Sequence, residues 1–190
     1  MPRREKNSPM VQVIPKILRP ENCQQLISTF EDCVGSGYTE RIDNSGTPRF
    51  TQVNLNQVYM DVVPFLVQRV KVAIDIYKDV VGSRADYLPK PKQMEEFRVK
   101  RYEPETNDRF DEHIDAADYP SARRYLAFLF YLNDVQKGGQ TEFRFHGRMV
   151  RPEAGSVLVF PPTWEYPHAG LPPISGPKYI MSTYLHYGQN

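Results

Sequence analysis

Residues 178–187 read Lys-Tyr-Ile-Met-Ser-Thr-Tyr-Leu-His-Tyr. Taken every second residue, one set is Lys178, Ile180, Ser182, Tyr184 and His186, and the other is Tyr179, Met181, Thr183, Leu185 and Tyr187. In an extended chain the two sets point to opposite faces. The second face is mainly apolar and aromatic and suits packing against helices. The first carries a cation, two hydroxyls and an imidazole. Such a stripe needs partners if it is buried, and a cavity lined by these groups supplies them. A solvent-facing strand is the alternative reading.

Working outward, the same half of the chain is rich in short strands. Tyr125 to Leu132 is nearly all apolar and is bounded by Asn133-Asp134, which reads as a strand buried on both faces. Val157 to Phe160 is a second buried strand, closed by Pro161-Pro162. Thr141 to Phe145 and Arg148 to Arg151 flank His146-Gly147 as a hairpin, and Gly138-Gly139 is a turn. From Met94 onward, Phe97, Val99 and Arg101 alternate with Glu96, Arg98, Lys100 and Tyr102. Short strands at close spacing predict a sandwich or barrel.

The preceding half reads as helical with long connections. Val11 to Ile17 is an edge strand stopped by Pro15. Pro20 opens a helix with Cys23, Leu26, Ile27, Phe30 and Val34 on one face and Gly35 as its stop. Val62, Leu66, Val70, Ala73, Tyr77 and Val80 mark a second helix face, ended by Gly82. Residues 35–56 and 82–92 read as loops, the first long enough to serve as a lid. The fold class is α+β, mainly β, with the helices packed on the outside of one sheet. The expected organisation is a single domain over residues 1–190: a frayed tail (1–10), helical support and loops (11–93), and a catalytic β-core (94–187).

Composition narrows the function. The 190 residues carry 24 Lys+Arg against 23 Asp+Glu, a net charge of +1, which argues against a dedicated nucleic-acid binder. No apolar run approaches the ~18 residues of a membrane span, and no secretory signal follows the basic start. The two cysteines, Cys23 and Cys33, cannot form a disulfide framework and read as reduced thiols in a cytoplasmic protein.

The chain has four histidines. In His113-Ile114-Asp115 an imidazole and a carboxylate share one face of an extended segment, and His168 follows after further strands. Two histidines and one carboxylate on one side of a metal leave three positions open, an arrangement that suits non-haem Fe(II). Taken alone the motif is weak, and a surface His-Asp pair is the preferred reading of it. Zinc accepts the same ligands, but Lys178 then has no role, whereas beside an Fe(II) site it can pair a dicarboxylate. Tyr102 can donate to that same carboxylate, and Tyr184 and His186 can face a substrate. Arg124 reads from the residues alone as a strand-end charge.

Residues 94–187 resemble the double-stranded β-helix (jelly-roll, cupin-like) core of the Fe(II)- and 2-oxoglutarate-dependent dioxygenases, and within them the prolyl 4-hydroxylase branch. The features, in order, are Tyr102, His113-Ile-Asp115, Arg124 ahead of Tyr131-Leu-Asn-Asp134, Gly138-Gly-Gln-Thr-Glu-Phe143, Pro152-Glu-Ala-Gly155 with Phe160, and His168 followed ten residues later by Lys178. The resemblance implies that His113, Asp115 and His168 bind Fe(II). It implies that Lys178, Tyr102 and Thr141 hold the distal carboxylate of 2-oxoglutarate, and that Arg124, Tyr184 and His186 lie near the substrate. It also implies O2 as co-reactant, ascorbate as a reductant, and hydroxylation of prolyl residues in a peptide or protein with release of succinate and CO2. Tyr184 stands where that branch often has Trp, and Ala127 where it usually has Thr. A sister oxygenase acting on a small molecule, free amino acid or nucleobase, and a catalytically silent binding module, are the other readings. Both a monomer and a homodimer are compatible with the sequence.

Overall fold

A computed structural model describes residues 8–43, 47–90 and 93–188. Strand β1 (Gln12–Ile14) is followed by helix α1 (Pro20–Asp32), strands β2 (Thr39–Asp43) and β3 (Arg49–Asn54), a single turn α2 (Leu55–Val58) and helix α3 (Val63–Val81). Nine strands follow: β4 (Gln93–Met94), β5 (Arg98–Tyr102), β6 (Phe110–His113), β7 (Arg124–Tyr131), β8 (Thr141–Phe143), β9 (Arg148–Val150), β10 (Val157–Phe160), β11 (His168–Gly170) and β12 (Lys178–His186). They form two antiparallel sheets. The major sheet runs β1-β10-β7-β12-β5-β3-β2, with β4 on the end of β12; the minor sheet runs β6-β11-β8-β9. This is the expected double-stranded β-helix, with helices outside the major sheet.

The major sheet separates two cores, and its central strands feed both by alternation over most of their length. In β7, Leu126, Phe128 and Phe130 face the helices while Ala127, Leu129 and Tyr131 face the minor sheet. In β10, Val157 and Val159 divide from Leu158 and Phe160 in the same way, and in β12 Tyr179, Met181 and Leu185 divide from Ile180 and Tyr184. On the helix side, Cys23, Leu26 and Phe30 of α1 and Leu66, Val70, Ala73 and Tyr77 of α3 close the layer. A strand covered on both faces has no room for a polar face, which explains the unbroken apolar run of β7. β1 is an edge strand, paired to β10 on one side. Gly155 fixes its approach: its carbonyl accepts from the Ile17 and Leu18 amides, and at φ +80° any Cβ would strike the Leu18 carbonyl oxygen.

Four expectations need correction. Residues 35–56 are not a loop: β2 and β3 pair with each other, and β3 adds to β5. Their apolar residues are few because the hairpin lies at the sheet edge, yet Phe50 and Val53 are buried, one in each core. Arg41 clasps the buried Asp108 through two hydrogen bonds of 2.8 and 2.7 Å, which ties the hairpin to the turn before β6. Residues 44–46 of that segment lie outside the described residues. Secondly, Val80 is 53% exposed, and Val81 takes its place in the core. Thirdly, α1 ends at Asp32, so Val34 is exposed. Fourthly, residues 8–10 are not frayed: Ser8 is buried and bonds the Tyr166 hydroxyl at 3.2 Å. Residues 1–7 lie outside the described residues. Within the 82–92 loop, residues 82–87 form a 3-10 turn, and residues 91 and 92 lie outside the described residues. Both cysteines are free thiols. Among the described residues no helix is long and apolar enough to cross a membrane.

The corrected α3 face is testable against the β7 core. Phe130→Ala removes a fully buried ring and is expected to cost about 3–5 kcal/mol. Val80→Ala is expected to change stability by less than about 0.5 kcal/mol. Urea unfolding of both variants checks this, and a large loss in Val80→Ala would contradict the observed helix register.

Candidate active site

The two sequence-distant histidines meet through sheet pairing. β6 and β11 run antiparallel with His113 directly opposite His168, and their ring centroids lie 4.4 Å apart. Asp115 sits just past the end of β6, where the amides of Asp115 and Ala116 both donate to the Pro162 carbonyl. Its carboxylate thereby lies 3.5 Å from Nε2 of each histidine, through Oδ1 to His113 and Oδ2 to His168. All three candidate ligand atoms fall within 4.8 Å of one another.

Each imidazole is oriented by its other nitrogen. His113 Nδ1 is 2.7 Å from the Asp111 carbonyl, and His168 Nδ1 is 3.2 Å from the Tyr166 carbonyl. A carbonyl can only accept, so Nδ1 carries the proton in both rings and Nε2 offers a lone pair toward Asp115. Burial lowers the His168 pKa to about 4, which keeps the ring neutral. Burial alone would raise the Asp115 pKa, but the imidazoles, whenever they are protonated, and Lys100 outweigh it and hold the carboxyl below its usual range. Asp115 Oδ2 is buried without a hydrogen-bond partner. An orphaned carboxylate oxygen facing two imidazole lone pairs is costly unless a cation joins them, and this donor set fits Fe(II).

A narrow chamber of about 30 Å3 runs inward from the triad between the sheets, reaching Tyr102, Thr141 and Lys178. Lys178 is buried, donates to the Gly139 carbonyl at 3.1 Å and lies 4.5 Å from the Tyr102 ring. Gly139, at φ +74°, brings that carbonyl in; a Cβ there would press on the Lys178 stem at 3.3 Å. Burial lowers the Lys178 pKa to about 7. Thr141 shares a 2.7 Å hydrogen bond with the Tyr131 hydroxyl. The chamber therefore ends in a cation and hydroxyls, a set suited to a carboxylate.

Outward from the triad an open groove of about 460 Å3 is lined by Arg124, Tyr184 and Ser182, among others. Arg124 is held on every side. It makes a bidentate pair with Glu95 at 2.6 and 3.0 Å, donates to the Asp115 carbonyl at 2.8 Å, and stacks 4.2 Å over the Tyr184 ring. His186 lies behind this layer: its Nε2 meets Glu95 at 2.6 Å, and it does not line the groove. Burial alone would raise the Glu95 pKa, but Arg124 and His186 bring it below its usual value. His146, the fourth histidine, bonds the Glu165 carbonyl away from the triad.

Three residues of the site escaped the sequence reading. Glu95 precedes β5 and carried no signal. Phe110 stacks on His113 with ring centroids 3.3 Å apart. Lys100 lines both chamber and groove, and burial lowers its pKa to about 8 against the attraction of Asp115. It was legible by parity, since alternation from Tyr102 places it on the same face.

Comparison with known proteins agrees with this geometry. The sequence profile of the 2OG-Fe(II) oxygenase superfamily matches residues 97–186. Probable prolyl 4-hydroxylase 9 of Arabidopsis thaliana is 32% identical over 98 residues, covering 41% of this chain and 33% of that protein. Prolyl 4-hydroxylase subunit alpha-1 of Mus musculus is 24% identical over 184 residues, covering 84% of this chain and 34% of that protein. The chain thus spans about a third of the length of these curated relatives. Among solved structures, the viral collagen prolyl hydroxylase of Paramecium Bursaria Chlorella virus-1, in its 2OG complex, superposes with a TM-score of 0.72 at 20% identity, covering 94% of this chain and 97% of that one. A Trichoplax adhaerens prolyl hydroxylase bound to a hypoxia inducible factor peptide fragment gives 0.72 at 14% identity, covering 96% and 86%. These structures share the fold. Residues 97–186, which contain the triad and Lys178, thus match the 2OG-Fe(II) oxygenase superfamily, and the fold is similar to that of prolyl hydroxylases.

Proposed function

We propose that this chain is an Fe(II)- and 2-oxoglutarate-dependent dioxygenase that hydroxylates prolyl residues in a peptide, with residues 11–187 acting as one unit. The observation that carries the reading is the continuity of the cavity. A triad with an orphaned carboxylate oxygen opens inward to a buried lysine and outward to a groove.

His113, Asp115 and His168 would hold the iron, and Lys178 with Thr141 and Tyr102 would hold the far carboxylate of the cosubstrate. Iron bound there would supply, with 2-oxoglutarate and O2, the oxidation of a C–H bond, one oxygen atom entering the product and the other entering succinate as CO2 leaves. The remaining work belongs to the chain. Lys178 engages only one of its three N–H donors with the Gly139 carbonyl, which leaves donors for the far carboxylate of a dicarboxylate. Phe110, Phe143 and Phe160 pack against the two imidazoles and restrict water there. Arg124 and Tyr184, immobilised by Glu95 and by each other, present a fixed wall to the substrate. His186 acts through Glu95 rather than by contact. The outer groove is open enough for an extended chain, and the peptide held by the Trichoplax relative supports a peptidyl substrate.

Anaerobic addition of Fe(II) and 2-oxoglutarate is expected to give a saturable visible charge-transfer band, absent in His113→Ala and weakened in Lys178→Ala. Mass spectrometry of proline-containing peptides after turnover is expected to show one added oxygen on proline. A product only from free amino acid or oligonucleotide would replace the substrate assignment, and no band in folded, metal-loaded protein would overturn the whole reading.

Lys178 also predicts a pH dependence. Its pKa of about 7 must rise when a carboxylate arrives, so binding takes up a proton above that pH. Affinity for 2-oxoglutarate is therefore expected to be flat below about pH 7 and to weaken by up to about tenfold per unit above it. Calorimetry in buffers of different ionisation enthalpy measures the uptake, and Lys178→Met is expected to abolish it.

A further inference from the structure

We propose that Lys100 is a specificity-determining residue whose ammonium binds a carboxylate carried by the substrate beside the residue to be oxidised. The inference rests on the function proposed above and extends it to the class of substrate.

The first argument is position. β5 lies between β3 and β12, and Lys100 stands opposite Gln52 on one neighbour and Ile180 on the other. Lys100, Phe110, His113, Asp115 and Tyr184 are the residues that line both the inner chamber and the outer groove. Lys100 therefore sits at the junction, next to the triad, where the reacting part of a substrate must come to rest.

The second argument is charge. Every other cation of the groove is already engaged. Arg98 pairs with Glu96 at 3.0 Å, and Arg124 is bound to Glu95. Of the acids, Glu95 and Glu96 are thereby paired, while Asp118 keeps its charge but is held in a local turn by the Ser121 amide and makes no ion pair with Lys100 among the described residues. Lys100 Nζ has no hydrogen-bond or ion-pair partner among the described residues and lies 5.0 Å from the Phe50 ring. Loading the cofactors would not change this. The two positive charges of the metal and that of Lys178 are matched by Asp115 and the cosubstrate dianion. One ammonium then remains in a partly enclosed wall, where an unpaired charge is costly. An incoming carboxylate relieves that cost and adds a charge-assisted hydrogen bond. The carboxylate has two possible sources, an Asp or Glu side chain flanking the proline, or the free C-terminus of a short substrate.

The test measures equilibrium binding to the Mn(II)-loaded, 2-oxoglutarate-bound protein under anaerobic conditions. The probes are a capped Ala-Ala-Pro-Ala-Ala peptide, the same peptide with Glu on either side of proline, and one ending in a free proline carboxylate. At least one carboxylate-bearing probe is expected to bind about tenfold or more tightly than the neutral peptide. Which probe gains identifies the source. Lys100→Met is expected to erase the difference, Lys100→Arg to keep it, and Lys100→Glu to favour a Lys-flanked peptide instead. The charge-keeping and charge-reversing variants guard against a mere folding defect.

Equal affinity for all probes in the wild type would overturn the proposal, as would a preference that survives Lys100→Met. A Lys100→Met defect confined to 2-oxoglutarate affinity would also overturn it, by assigning the cation to the cosubstrate. A neutral peptide that is bound and hydroxylated without any preference sinks this inference alone. A carboxylate preference without hydroxyproline formation supports it and sinks the prolyl assignment.

Discussion

Every residue of β12 is buried, so the strand that lines the cavity can carry polar groups only where the rest of the fold supplies partners. Lys178 finds the Gly139 carbonyl, and Thr183 donates to the Glu95 carbonyl at 2.7 Å. His186 meets the Glu95 carboxylate, and the Glu95 amide donates to the Tyr184 carbonyl at 2.9 Å. Glu95 is thus fastened to β12 through backbone and side chain together. It passes that rigidity to Arg124, and Arg124 passes it to the Asp115 carbonyl. A desolvation constraint on one strand has become a chain of contacts that ends at the backbone of a candidate metal ligand.

The two sheets divide the work. The long strands β7 and β12 form a double-faced apolar partition, which resists deformation because each side chain fills space in one of two cores. The minor sheet has only short strands, and it carries the two histidines where β6 meets β11. Placing chemistry on short strands costs regularity: the β6–β11 register shifts between His168 and Gly170. The Pro162 carbonyl, which accepts from two successive amides around Asp115, restores the precision that strand pairing alone does not give there. Ligands on irregular backbone, backed by a stiff partition, is the arrangement expected of a site that must admit and release reactants.

This division also explains what could be read in the sequence. β7, β10 and β12 were legible because burial on both faces leaves a continuous apolar run or a clean alternation. The His-x-Asp pair, His168 and Lys178 were legible through their order along the chain, not through periodicity. The hairpin of β2 and β3 was not legible, because edge strands expose one face and a border to water, so Thr39-Glu-Arg-Ile-Asp43 looks like a loop. Val80 was misplaced by one position because a long helix drifts against an even three-four repeat, and Val81 holds the core place. Glu95 was invisible for a different reason: its role depends on two partners, 29 and 91 residues away in sequence, that only the folded sheet brings together. Alternation along β12 puts His186 on the cavity face, yet the same Glu95 stands between it and the groove.

The site carries a stability cost that its ligands can return. Lys178 is buried with one neutral acceptor and an aromatic face, Asp115 Oδ2 is buried without a hydrogen-bond donor, and Lys100 faces the groove unpaired. Each is a desolvated charge that an apolar core of the same shape would not contain. Folding therefore depends on the double-cored partition for its net stability, and the cavity subtracts from it. A metal at the triad and a dicarboxylate at Lys178 would bind only the folded chain and would satisfy Asp115 and Lys178, leaving Lys100 to the substrate, so their binding energy would add to fold stability by mass action. Ligands at the triad and at Lys178 would complete the chemistry and stabilise the fold together.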